Sequence, residues 1–318
     1  MHISQIYTLP QYNNFNTVQN THDRGFGLRL KPQLTQDVVS FTGYRRFLDL
    51  PQNEIFARIK RSISPDNFIG AGGEANVYSI KGTKYCFRCP KGSDDKYKSH
   101  LDFDISESDK VNHVVANLGG GATIMNRLKG VPVKTDKMTA DQIQQVAQTI
   151  VDFPVQSYRT FMHQLADADR KNMYFDDFWP NVIINPKDKT ITAIDFVKDF
   201  PYAEEFAPLG KMFSVLTHDE TTVDQMGMIA NKILKAALKD LAPGQKPCIP
   251  PNQFDFSLFL IDLRNLNKFS IADESYCDLF NALERVVELK ELELQGQNVT
   301  NMLRNDIQVA KEIIDLMF

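Results

Sequence analysis

The stretch that decides the fold is Met173-Tyr-Phe-Asp-Asp-Phe-Trp-Pro-Asn-Val-Ile-Ile184, followed shortly by Ile191-Thr-Ala-Ile-Asp-Phe196. The two apolar runs predict a strand–turn–strand hairpin whose second strand ends on the final Asp-Phe pair. Asp176, Asn181 and Asp195 supply two carboxylates and one amide, which are the oxygen ligands that Mg²⁺ prefers. The stretch therefore predicts a divalent cation site. Alternatively, these residues cap a turn and mark the ends of two strands.

A glycine-rich segment lies upstream and contains Gly70, Gly72 and Gly73. Glycines allow a backbone to approach phosphate groups closely. The alternating pattern that follows predicts a hairpin of two strands, at residues 77–80 and 84–89. Because a strand rather than a helix follows the glycines, a dinucleotide-binding fingerprint is disfavoured. An ordinary glycine-rich loop is the alternative.

The second strand of this hairpin carries Arg88, whose guanidinium can bind phosphate through two parallel hydrogen bonds. Lys84 lies on the same face by the two-residue period of a strand and is the alternative cation. Residues 106–118 predict a helix that Ser106 caps and that buries a valine-rich stripe. Glu107 lies in the first turn of this helix, where a carboxylate suits the helix dipole.

The rest of the chain predicts mostly helices. Residues 122–132 predict a strand that runs into a connecting segment, and a capped amphipathic helix begins at Thr139. Further helices are predicted over residues 53–62, 156–168, 224–241, 253–266, 274–294 and 298–318. Five apolar residues of the segment 253–266 are expected in the core, with an exposed docking patch as the alternative: Phe254, Phe256, Leu258, Phe259 and Leu260.

Composition and charge narrow the functional classes. The chain has 318 residues, of which 42% are hydrophobic and 24% are charged, as in ordinary globular proteins. The net charge of −4 and the pI near 5.9 disfavour a general nucleic-acid binder. No apolar run approaches the length of a membrane span, and the first residues lack the pattern of a secretory signal.

The four cysteines are few for this length, which predicts reduced thiols in a reducing cytosol. Cys86 and Cys89 have the spacing of half a zinc site, but Cys248 and Cys277 do not form a second close pair. The histidines that show no mutual metal-ligand spacing are His113, His163 and His218.

The order of these features over residues 68–200 resembles the protein-kinase-like superfamily. The shared order is glycine loop, charged strand, helix, hinge, long helix, Asp-x₄-Asn and Ile-Asp-Phe. The resemblance implies an α+β fold of two lobes, a small antiparallel β-rich N-lobe and a mostly helical C-lobe. It implies an N-terminal extension at residues 1–62, the N-lobe at 63–128 and the C-lobe with a helical extension at 129–318. The segment 122–132 also resembles the hinge of aminoglycoside and choline kinases.

The resemblance also implies a role for each site residue. Asp176 would accept the proton of the attacking hydroxyl, while Asn181 and Asp195 would hold Mg²⁺ or Mn²⁺ against the phosphates of ATP. Arg88 takes the place of the phosphate-holding lysine, and Glu107 would be its partner. Residues of the glycine loop and the hinge would surround the nucleotide, namely Gly70, Gly72, Gly73, Val77, Arg127 and Leu128.

Three positions depart from the superfamily pattern. Arg88 replaces a lysine, Tyr174-Phe175 stands where His-Arg is usual, and Val197 stands where a glycine is usual. Such departures are typical of effector kinases that intracellular bacterial pathogens inject into host cells. The chain is similar to one such family that needs host inositol hexakisphosphate. The short segment 197–209 leaves little for phosphorylation to order, which favours another activator.

The resemblance predicts a protein Ser/Thr kinase that acts as a monomer in the host cytosol, with the bacterial cytoplasm as the alternative location. The expected partners are a host protein substrate and an inositol phosphate or phosphoinositide, and nucleic acid is not expected. The basic residues that would bind the inositol phosphate are Arg45, Arg46, Arg58, Lys60 and Arg61. Two other interpretations stay open. One is transfer of AMP or phosphorylation of a small molecule, and the other is a non-catalytic pseudokinase that binds a partner.

Overall fold

The computed structural model describes residues 46–71, 74–92, 111–132, 138–175, 181–198, 206–266 and 273–318. The described residues form an α+β structure with small antiparallel sheets and several helices, which confirms the predicted class. The chain divides into two compact units. The two-lobed arrangement and its boundaries at residues 62 and 128 stay predictions.

The first unit comprises Met1–Thr83 and Phe87–Leu101. Its described elements are helix α1 (Gln52–Ser62), strand β1 (Phe68–Ala71), strand β2 (Ala75–Ser79) and most of strand β3 (Tyr85–Pro90). Helix α1 confirms the helix predicted over residues 53–62, and its apolar face buries Ile55 and Ile59. Strands β1 and β2 pair antiparallel, with Gly70 opposite Val77.

The second unit comprises Lys84–Cys86 and Asp102–Phe318. Its strands are β4 (Val114–Asn117), β5 (Thr123–Asn126), β6 (Val131–Pro132), β7 (Met173–Phe175), β8 (Val182–Asn185), β9 (Thr190–Ala193) and β10 (Phe196–Lys198). Its helices are α2 (Ala140–Val151), α3 (Val155–Asp169), α4 (Pro208–Leu216), α5 (Val223–Asp240), α6 (Phe256–Asn265), α7 (Asp273–Leu294) and α8 (Thr300–Met317). The strand orders among the described residues are β1-β2-β3-β5-β4, β6-β8-β9 and β7-β10.

The helix predicted over residues 106–118 is wrong for the described part of that segment. Residues 111–113 form a turn, in which His113 has a φ of 60°, and β4 follows. Ala116 and Leu118 are buried at the two-residue period of a strand. The valines that suggested an apolar helical stripe are β-branched residues, which favour strands. Ser106 and Glu107 lie outside the described residues.

Helix caps explain why several predicted helices begin where they do. At the start of α2, the Thr139 hydroxyl accepts a hydrogen bond from the Gln142 amide at 3.3 Å, and the Gln142 side chain accepts one from the Thr139 amide at 3.0 Å. Thr222 and Gln225 form the same reciprocal pair at the start of α5. These capping boxes satisfy backbone donors that have no partner within the helix.

The core of the second unit lies around α3 and α5. Tyr158 and Phe161 on α3 are fully buried, and ten of the 18 residues of α5 are buried. Phe254, Phe256, Phe259 and Leu260 are buried as predicted.

The core prediction for Leu258 is wrong, because 48% of this residue is exposed. Leu258 lies one residue before Phe259 on the short helix α6, and successive residues on a helix point about 100° apart. The buried face of α6 takes Phe256, Phe259, Leu260 and Leu263, which leaves Leu258 on the outer face.

None of the helices in the described segments combines the length and the apolar character needed to cross a membrane.

The predicted strand–turn–strand hairpin is present as β8 and β9, which pair antiparallel. Its predicted end on Asp195 and Phe196 is wrong, because β9 stops at Ala193. Asp195 has a φ of 64°, in the left-handed region, and a strand cannot continue through that conformation. Phe196 instead begins the separate strand β10.

Gly130 precedes β6 at a point where two backbones approach closely. Its φ is +145°, and a Cβ atom there would lie 2.1 Å from the Ile184 carbonyl oxygen and 2.7 Å from Ile183 Cγ2. The carbonyl belongs to β8, which pairs with β6. Any side chain at this position would therefore push β6 away from its partner.

We expect Gly130→Ala to lower the free energy of unfolding by more than about 3 kcal/mol, because the methyl group would overlap backbone that cannot move aside. Gly244→Ala is the matched control, since Gly244 also has a positive φ (+72°) but nothing lies within 4 Å of its added Cβ. That control should lose only about 1–2 kcal/mol from backbone strain. Urea unfolding of both variants measures the difference, and equal losses would contradict the close approach.

Candidate active site

The hairpin β8–β9 brings two predicted site residues to the same end. Val182 pairs with Ala193 at the last position of the ladder. One residue further, the Ile194 amide donates a hydrogen bond to the Asn181 carbonyl at 2.8 Å. Asn181 therefore lies beside the residue that directly precedes Asp195. The Asn181 side chain is half-buried and Asp195 is exposed.

Strands β7 and β10 pair directly beside Asp195. Phe175 pairs with Phe196, and their rings pack with centroids 5.3 Å apart. Both rings are buried. Phe175 is the residue before Asp176 in the sequence, and Phe196 is the residue after Asp195. Asp176 itself lies outside the described residues, so its role stays a prediction.

Two side-chain amides hold the backbone on both sides of Asp195. Gln164 donates to the Ala193 carbonyl at 2.7 Å and accepts from the Ala193 amide at 2.9 Å. Asn112 donates to the Phe196 carbonyl at 2.9 Å and accepts from the Phe196 amide at 2.8 Å. Four hydrogen bonds thus hold the backbone at Ala193 and Phe196, which lie on either side of the left-handed residue Asp195. Its exposed carboxylate remains available to coordinate a cation.

Arg88 lies in the first unit, in β3, with its side chain 33% exposed. Its guanidinium is 3.9 Å from the carboxylate of Glu74, whose side chain is 92% exposed. An ion pair this long and this exposed contributes less than about 1 kcal/mol. Glu107, the predicted partner of Arg88, lies outside the described residues. The alternative cation, Lys84, is exposed, lies just before β3 and has its ammonium 5.4 Å from the Tyr85 ring centroid.

The predicted nucleotide-covering residues are described in part. Gly70 is buried in β1 and Val77 is half-buried in β2. Gly72 and Gly73 lie outside the described residues.

Two backbone amides of the predicted hinge donate hydrogen bonds within the second unit. The Asn126 amide donates to the His113 carbonyl at 2.9 Å, and the Arg127 amide donates to the Lys84 carbonyl at 2.9 Å. The Arg127 side chain is exposed and Leu128 is half-buried. A ligand that needs a backbone donor at the hinge would therefore find it beyond Arg127.

Helix α4 begins at Pro208, and an acid from a distant part of the sequence caps its first turn. Asp255 accepts hydrogen bonds from the amides of Leu209 at 3.3 Å and Gly210 at 3.5 Å. Burial raises the pKa of the Asp255 carboxyl to about 6, although these backbone hydrogen bonds oppose the rise. This cap is invisible in the sequence because the residues that form it are far apart.

His163, Asp240 and Cys248 form a cluster that no pattern in the sequence predicts. Their potential metal-ligand atoms all lie within 4.8 Å of one another. The three residues come from α3, the end of α5 and the loop after it, so no local spacing marks them. Cys86 and Cys89, whose spacing suggested half a zinc site, are both buried.

Comparison of the sequence with protein-family models gives no match, and comparison with curated proteins gives no significant match.

We expect Asn112→Ala to lower the free energy of unfolding by about 1–3 kcal/mol, because it leaves the amide and the carbonyl of Phe196 without their partner. The Phe196 amide should also exchange its hydrogen faster. Asn265→Ala, at an exposed asparagine near the end of α6, is the control and should change stability by less than about 0.5 kcal/mol. Unchanged exchange at Phe196 in Asn112→Ala would contradict the clamp.

Proposed function

We propose that the protein is an atypical kinase, which uses ATP with Mg²⁺ or Mn²⁺ to phosphorylate serine or threonine residues of a protein. Asn181 and Asp195 hold the metal ion. Asp176 orients the attacking hydroxyl and accepts its proton. Phosphoryl transfer needs positioning and charge neutralisation more than covalent chemistry, so these three side chains form a sufficient set.

The observation that carries the proposal is the pairing around Asp195. The pairing of β7 with β10 ends with Phe175 opposite Phe196. Just past the last pair of β8 and β9, the Ile194 amide donates to the Asn181 carbonyl. Asn181 is in one of these pairs, Asp176 follows Phe175 in the sequence, and Asp195 precedes Phe196. The nearness of Asn181 to the residue before Asp195 supports a metal ion shared by these two side chains.

The backbone conformation of Asp195 supports the same proposal. A non-glycine residue with positive φ costs about 1–3 kcal/mol, and such residues cluster at functional sites. Four side-chain hydrogen bonds maintain the backbone next to it. A metal ligand needs such a fixed backbone, because its carboxylate must keep a constant direction.

Binding of the rest of ATP is assigned to the residues that the sequence pattern selects. Arg88 holds phosphate oxygens, Gly70, Gly72 and Gly73 cover them, and Val77 contacts the adenine. Since the amides of Asn126 and Arg127 have protein partners, the proposal places the adenine-facing donor at Leu128.

We expect Asp195→Asn to lower the rate of phosphate transfer from γ-labelled ATP by at least about 100-fold, since it removes the charge that holds the metal ion. Asp188→Asn is the matched control, because Asp188 is an exposed acid in the turn at the other end of the same hairpin. A generic basic protein serves as substrate. Transfer that continues at the wild-type rate in Asp195→Asn would contradict the proposal.

Separate labelling of the α- and γ-phosphates of ATP distinguishes the other two interpretations. Label carried into product only from the α position indicates AMP transfer on the same fold. The absence of both transfer and nucleotide-dependent thermal stabilisation, with every metal and activator, indicates a non-catalytic partner-binding protein. Arg88 in place of lysine is the feature that favours the last outcome.

We also propose that an inositol phosphate of the host cytosol activates the enzyme by binding to the basic face of α1. Arg58, Lys60 and Arg61 of α1 are exposed, and so is Arg46, which precedes the helix; Ile55 and Ile59 of α1 are buried. Clustered guanidinium and ammonium groups bind phosphate oxygens strongly. Arg45, the fifth predicted residue, lies outside the described residues. This proposal assigns the protein to host cells as a secreted bacterial effector.

We expect the double variant Arg58→Glu, Arg61→Glu to lose at least about tenfold in affinity for inositol hexakisphosphate, because it reverses two charges that are three residues apart on the same helix face. The double variant Lys187→Glu, Lys239→Glu makes the same charge change at exposed lysines elsewhere and should bind as the wild type does. Calorimetric titration measures both. Kinase activity that is equal with and without inositol hexakisphosphate would contradict the activation.

A further inference from the structure

We propose that His163, Asp240 and Cys248 form a binding site for a divalent transition metal ion of the zinc type. The donor atoms are an imidazole nitrogen, a carboxylate oxygen and a thiol sulfur, which are the three kinds of ligand that Zn²⁺ takes from proteins. They all lie within 4.8 Å of one another. This site is separate from the residues assigned to ATP and does not depend on the kinase proposal.

Asp240 is the centre of the cluster. Its side chain is 0% exposed. One carboxylate oxygen, Oδ1, lies 2.6 Å from His163 Nε2, and the other, Oδ2, accepts the Cys248 amide at 2.5 Å. The Cys248 thiol also hydrogen-bonds the carboxylate. A metal ion would therefore take the place of the thiol hydrogen, which leaves as a proton, and of the hydrogen between the imidazole and Oδ1, since a neutral imidazole bound through Nε2 carries its hydrogen on Nδ1.

The distances allow this exchange after a small movement. Two ligands of a tetrahedral zinc ion lie about 3.3 Å apart, so His163 Nε2, now 2.6 Å from Oδ1, would have to move away from it by about 0.7 Å. The His163 side chain is 42% exposed and has room to move outward. The same exposure provides a route for the ion and for a water molecule as fourth ligand.

The surrounding charges fit a site with two anionic ligands. Binding releases the thiol proton to solvent, so that a thiolate and the Asp240 carboxylate neutralise the dication. Arg159 lies 3.0 Å from Oδ1 through Nε and donates from Nη2 to the Gln245 side chain at 2.8 Å. A cation beside the carboxylate lowers metal affinity by repulsion, but its hydrogen bond also fixes the direction of the ligand.

The environment of the Cys248 thiol suits a metal ligand better than a nucleophile. Burial raises the pKa of Cys248 well above its usual range, and the hydrogen bond and negative charge of Asp240 raise it further. A thiol held protonated in this way is a poor nucleophile. A bound dication would reverse both effects, because it stabilises the thiolate and neutralises Asp240.

The test is a titration of the full-length, reduced, chelator-treated protein with Co²⁺. A cobalt–thiolate bond gives a charge-transfer band in the near ultraviolet, which reports the sulfur ligand directly. We expect the band to saturate at one Co²⁺ per chain and Zn²⁺ to abolish it by displacement. Apparent affinity should rise with pH, because binding releases a proton.

Matched variants assign the ligands. Cys248→Ser should lose the band, and His163→Asn should bind at least about tenfold more weakly. Cys277→Ser, which removes an exposed free cysteine elsewhere, should behave as the wild type does. Zn²⁺ should raise the melting temperature of the wild type and of Cys277→Ser but not of Cys248→Ser.

Two results would overturn the proposal. One is a folded wild-type protein that shows neither the cobalt band nor stabilisation by Zn²⁺. The other is a Cys248→Ser protein that retains the band, which would place the sulfur ligand elsewhere. The wild-type titration decides the question even where a variant fails to fold.

Discussion

The conformation around Asp195 depends on two side-chain amides that replace backbone partners where a strand ladder stops. A residue with positive φ interrupts the strand, and the buried backbone groups beside it would otherwise lose their hydrogen bonds. Each such loss costs about 1–3 kcal/mol. Gln164 and Asn112 each supply one donor and one acceptor, so Ala193 and Phe196 are both satisfied. The break in the strand at Asp195 is therefore stable. The exposed Asp195 carboxylate extends from a backbone whose neighbours, Ala193 and Phe196, are buried and hydrogen-bonded.

The same requirement governs the buried carboxylate of Asp240. Burial by itself raises its pKa, but hydrogen bonds from His163 and from Cys248 outweigh this effect and hold the pKa well below its usual range. The ionised group then joins α3, α5 and the following loop, since Arg159 and His163 come from one element and Cys248 from another. Lys290 follows the same rule, because its buried ammonium is bound by Glu293 and by the Ala242 carbonyl. Buried charge is tolerated where several elements supply partners together.

Much of the helical structure could be predicted from the sequence, because its signals are local. Thr139 with Gln142, and Thr222 with Gln225, are cap and partner within one turn. The apolar periodicity of α3, α5 and α8 is also contained within each segment. The segment 106–118 shows the limit of this reasoning. Its valines fit a helical stripe and a strand equally well, and the choice at residues 114–117 was made by pairing with β5.

The sequence by itself determined most of the helices, the hairpin β8–β9 and the presence of an amide and an acid close to the end opposite its turn, because these features depend on neighbours along the chain. Only the tertiary structure decided that β9 stops before Asp195, that Asn112 and Gln164 hold its flanks and that His163 meets Asp240 and Cys248. These contacts join residues far apart in the chain, and their spacing carries no periodic signal. A side-chain amide or a buried carboxylate chooses its partner by geometry and desolvation, which exist only once the elements have packed.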